Sequence, residues 1–118
     1  MVKTEKTMPP SSRSLPSLCV FASRWIIATG GQNYEDKHKT NYLSSVDYYD
    51  IEANLWLTTC RAGLQMKKPR IYHSSCVLGD FAYVLCGSNF TGSLRSIERL
   101  NAYKALACSD VSAGWKEM

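Results

Sequence analysis

Short apolar runs separated by turn residues dominate the chain, and no helical stripe is sustained. Ser17–Phe21 and Trp25–Thr29 are rich in β-formers, with residues 22–24 as a tight connection and Gly30-Gly31 closing the second run. A polar stretch, residues 32–43, reads as a loop, and residues 45–50 and Leu55–Thr58 read as two further strands. The same order then returns. Residues 72–78 are apolar, Gly79-Asp80 suits a hairpin turn, and residues 82–86 form a β-rich run ending at Gly87. Residues 88–94 read as a second polar loop, and 96–101 and 114–116 complete a second set of four strands. Short strands at frequent turn spacing predict an all-β fold of eight strands in antiparallel meanders. Residues 1–14, polar and interrupted by Pro9 and Pro10, read as an extended arm.

The two sets are copies of one unit. Gly31 recurs as Gly87 after 56 residues and Trp56 as Trp115 after 59. Asp47-Tyr48-Tyr49-Asp50 is answered by Glu98-Arg99-Leu100-Asn101 at a spacing of 51. The drift follows from loop length, since the second unit has a shorter loop after its glycine and a longer one before its tryptophan. A period near fifty with four strands per unit is what a propeller blade requires.

Gly30-Gly31, the strand Asp47-Tyr48-Tyr49-Asp50, Trp56, and the run from Met66 through Pro69 to Arg70 together resemble the kelch repeat. Met8-Pro9-Pro10-Ser11-Ser12-Arg13 is a looser copy of the junction at Met66 to Arg70. The resemblance covers about residues 8–118, as blade one (15–70, junction included) and blade two (71–118). It implies two four-stranded antiparallel blades of an incomplete β-propeller. The second unit departs from the pattern at Cys86 in place of the first glycine, at Leu100-Asn101 in place of Tyr-Asp, and in eight more residues before Trp115.

The resemblance gives the repeat residues structural roles: Gly30, Gly31, Asp47, Tyr49, Asp50, Trp56, Met66, Arg70, Gly87, Glu98 and Trp115. Tyr49 and Trp56 are expected to fill the gap between adjacent blades, and Arg70 to bridge carbonyls or a carboxylate between them. Function is expected in the loops, where Tyr34, His38, Tyr42, Phe90 and Arg95 are candidate contacts for another protein. Kelch proteins recruit substrates to cullin ubiquitin ligases or bind actin-rich structures, so an interaction module of either kind is implied. The chain carries no BTB or BACK domain, so an adaptor role requires a further part. The alternatives are a truncated, non-functional kelch fragment, or part of an enzyme resembling galactose oxidase, whose copper ligands are not present as a set. Two blades are too few for a ring, so open blade faces are expected to drive self-association.

Composition narrows the chemistry. A formal charge of +4 is spread without any block of five basic residues, which gives no nucleic-acid or membrane footprint. Five cysteines without a CxxC pair argue against a disulfide framework or zinc knuckle and for reduced thiols in the cytoplasm. No apolar run approaches a membrane span. Asn89-Phe90-Thr91 matches a glycosylation acceptor that has no meaning without a secretion signal. His73 and Cys76 lie three apart on a strand and so point to opposite faces. His73 is therefore expected to be a packing histidine. No nucleotide-binding, metalloprotease or nucleophile-elbow motif occurs. No catalytic residue, metal or cofactor is expected.

Overall fold

The computed structural model describes residues 2–4, 13–36, 39–58 and 64–118. Its first unit runs through β1 (Val2–Thr4), β2 (Ser17–Phe21), β3 (Trp25–Thr29), β4 (Gln32–Asp36), β5 (Lys39–Tyr42), β6 (Val46–Asp50) and β7 (Leu55–Thr58). Its second runs through β8 (Ser74–Leu78), β9 (Phe81–Leu85), β10 (Ser88–Asn89), β11 (Gly92–Ser93), β12 (Ile97–Asn101) and β13 (Lys116–Glu117). The chain is all-β, as its strand pattern predicts.

The two units share one plan. In the first, β2, β3, β6 and β7 form an antiparallel meander, and the small hairpin β4–β5 projects between β3 and β6. In the second, β8, β9, β12 and β13 repeat the meander, with the hairpin β10–β11 at the corresponding place. Four features differ from the sequence reading. The expected loops 32–43 and 88–94 are these hairpins, because their polar residues pair backbone to backbone without a buried face to mark them. The expected arm 1–14 contains β1, which pairs with the outer edge of β7 and makes the first sheet five-stranded. The strands expected at 72–78 and 82–86 are Ser74–Leu78 and Phe81–Leu85, since Tyr72 (φ 56°) and Cys86 (φ 59°) take left-handed backbone that a strand cannot continue. The stretch before Trp115 holds a single π-helical turn, Tyr103–Ala107, which accounts for its extra length.

Side-chain alternation gives each sheet two faces. Phe21, Trp25, Ile27, Val46, Tyr48 and Leu57 on unit one form one buried cluster with Ala82, Val84, Leu100 and Trp115 on unit two. Ala105, Leu106 and Ala113, from the π-helical turn and the segment after it, close over it. Each large side chain buried there contributes about 1.5–3 kcal/mol. Hydrogen bonds fix the stacking. The hydroxyls of Ser17 and Ser75 are 2.6 Å apart, Trp115 Nε1 donates to Tyr48 Oη at 3.1 Å, and that hydroxyl donates to Leu64 O at 2.9 Å. The face of unit one turned away from unit two carries Leu18 and Val20, which are 61% and 51% exposed. Their equivalents 57 residues on, Ser75 and Val77, are the ones packed against unit one.

Candidate functional site

One arginine holds the corner of each unit from which its small hairpin springs. Arg13 Nη1 donates to the carbonyls of Gly30 and Ser45, both at 2.8 Å. Its Nη2 reaches Ser45 Oγ at 3.0 Å and Asp47 Oδ2 at 2.9 Å. Arg70 makes the same set in unit two: Cys86 O and Ser96 O at 2.9 Å, Ser96 Oγ at 2.8 Å, and Glu98 Oε2 at 3.0 Å. Burial lowers the Arg13 pKa more than Asp47 raises it. Glu98 also accepts the amides of Lys67 and Lys68, which pins the junction to the sheet. Arg70, in the junction counted with blade one, thus reaches carbonyls and a carboxylate of unit two through its side chain. Its backbone stays tied to unit one, with Gly31 N donating to Arg70 O at 2.8 Å and Arg70 N to Leu43 O at 3.1 Å.

Of these parts, Ser45 and Ser96 were not singled out from the sequence, and Arg13 was read only as the end of the looser junction copy. Their signal was present: each serine stands two residues before the acidic residue of its unit, and Arg13 precedes Arg70 by 57. Gly30, Gly31 and Gly87 all have positive φ. Asp50 is fully buried and accepts from Arg24 Nε and Nη2, each at 3.0 Å, tying the β6–β7 turn to the β2–β3 turn. Met66 is buried in the shared core. Tyr49 and Trp56 pack edge-on at 5.0 Å, but on the outer face of unit one. They face away from unit two, and between the two units it is Tyr48 with Leu100 and Trp115, the counterparts of Tyr49 and Trp56, that are buried. His73 packs between the units, its Nε2 2.8 Å from Thr29 Oγ1. Burial, and then the Arg70 cation, lowers its pKa to about 4.

The candidate binding residues gather at the hairpin end. Tyr42 on β5 and Phe90 at the β10–β11 turn bring their rings to 4.3 Å at 53°. Tyr34 and Phe90 are 64% and 70% exposed. Arg95 is exposed just beyond β11. Asn89 Nδ2 donates to Pro69 O at 2.8 Å, which anchors the second hairpin to the junction. His38 lies outside the described residues. The result is a small aromatic surface built jointly by two successive units.

The described residues contain no group of three potential metal ligands. Cys19, Cys76, Cys86 and Cys108 are free thiols. Among the described residues no helix is long and apolar enough to cross a membrane. Fold and site together define an all-β repeat pair with a shared aromatic end. Against known proteins, no family model and no curated sequence matches the chain.

Proposed function

We propose that the chain is a kelch-type pair of propeller blades that binds another protein through its hairpin end. The repeated four-strand meander and the repeated arginine corner support the blade reading. One observation carries the binding reading: hairpins from both units bring Tyr42 and Phe90 into contact, leaving Phe90 and Tyr34 largely exposed. Exposed aromatics on a rigid scaffold are what protein interfaces use as anchors. Components of a cullin ubiquitin ligase, or actin, are the partner classes that the blade reading brings with it. Catalysis is no part of the proposal, and the free thiols support a reducing compartment such as the cytoplasm. The outer face of unit one, with Leu18 and Val20, supports self-association beside that role.

The test compares the wild-type chain with a Tyr34→Ser/Phe90→Ser variant in cosedimentation with filamentous actin and in capture of cullin-ligase components. Binding in either assay by the wild type, lost in the variant at unchanged melting temperature, is the expected result. Equal binding by both proteins, or none by the wild type, overturns the proposal.

A further inference from the structure

The outer face of unit two differs from the face of unit one that it repeats. At the position of Tyr48, which lies buried beneath Trp115, stands Arg99. At the position of Gly30 stands Cys86. A Cβ on Gly30 would lie 2.5 Å from Arg70 O and 2.8 Å from His73 Cε1, so a side chain here obstructs the seat that unit one offers its neighbour. Beside Arg99 opens a cleft of about 250 Å³, whose lining includes Phe81, Asn101, Lys104, Gly114 and Lys116. Three cations line it and no carboxylate does. None of the three forms an ion pair among the described residues. Two carboxylates lie just outside the lining: Glu117 holds Lys68 at 2.8 Å, and Asp110 accepts at 2.7 Å from the hydroxyl of Ser112, which lines the cleft.

We infer that this cleft is an anion site for a phosphoryl monoester. The Arg99 guanidinium lies over the Phe81 ring at 4.4 Å, which holds it at the cleft, and a guanidinium can grip an oxyanion through two N–H bonds. Asn101 Oδ1 is occupied by the Lys104 amide at 3.1 Å, so its amide nitrogen is left to donate. The wall is therefore dominated by donors. Its volume lies below the ~300–1,000 Å³ of drug-sized sites and suits one compact group. Three cations match a phosphoryl charge of about −1.5 to −2 better than a single carboxylate. A phosphorylated side chain and a small phosphate ester present the same group.

Calorimetric titration of the full chain with O-phosphoserine, a phosphoserine peptide, its unphosphorylated form and its glutamate form tests the assignment. Saturable binding of the phosphorylated probes is expected, weakened about tenfold by Arg99→Gln and several-fold by Lys104→Gln or Lys116→Gln. Lys67→Gln, an exposed position away from the cleft, leaves it unchanged. The two lysine variants change exposed side chains and keep the test valid if Arg99→Gln fails to fold. A peptide binding more tightly than free O-phosphoserine identifies a phosphoprotein as the source, and equal affinities identify a small ester. Absence of saturable binding at millimolar probe overturns the inference, as does binding indifferent to the substitutions or matched by the glutamate peptide.

Discussion

Gly31 and Gly87 have φ of 94° and 87°, and a Cβ on either would lie 2.4 Å from Ser14 O or 2.5 Å from Ile71 O. The obstacle is backbone that belongs to the entry segment of the same unit and cannot swing aside. Replacing either by Val is expected to cost about 1–3 kcal/mol, read from denaturant midpoints; unchanged midpoints would mean ordinary turn positions. Cys86 tests the same geometry in reverse. It holds φ 59° with an exposed side chain, so Cys86→Gly should stabilise the fold by about 0.5–1 kcal/mol, the left-handed penalty less the entropy of the added glycine. His73 sets the acid limit. Its folded pKa of about 4 lies below its ordinary 6.5, so folding favours the neutral ring. Stability is complete above about pH 6.5 and falls progressively as the pH drops toward 4, by about 2–3 kcal/mol in all. Urea titrations across that window should show the fall, and His73→Asn should flatten it.

At the level of the elements, each corner is held by an arginine that satisfies two carbonyls, a serine and a carboxylate. The Arg70–Glu98 pair is wholly buried, while Arg24–Glu52 is a loose exposed contact of 3.8 Å. Glu98→Ala leaves a buried cation and two amides unpaired and should cost about 3–5 kcal/mol. Glu52→Ala should stay within about 0.5 kcal/mol; similar costs for both would contradict the corner's role. Seven of the eight main strands were legible as short β-rich runs bounded by turn residues, and the eighth, expected at 114–116, lies at Lys116–Glu117, both exposed. The hairpins β4–β5 and β10–β11 were not legible, because polar strands with little buried face leave no periodic trace. β1 was hidden for a similar reason: three residues give no pattern, and their pairing with β7 spans more than fifty positions of sequence. Of the aromatic site, the residues were legible, but the meeting of Tyr42 with Phe90 depends on how the units stack.

The whole molecule is two like-built units, one seated on the other. Tyr48 and Trp115 are joined across the junction by a buried hydrogen bond, and the Gly31 amide reaches Arg70 O. Among the described residues the buried cluster draws on both units. The joint hairpin surface, where Tyr42 meets Phe90, exists only while they remain stacked, so the proposed binding there would depend on the same contacts that hold the fold. Native-state amide hydrogen exchange tests this most directly. The amides of Ile27 in β3 and Val84 in β9, together with that of Gly31, should exchange with one common opening free energy equal to that of global unfolding. Protection confined to one unit, or a Gly31 amide that exchanges freely while β3 and β9 stay protected, would contradict it.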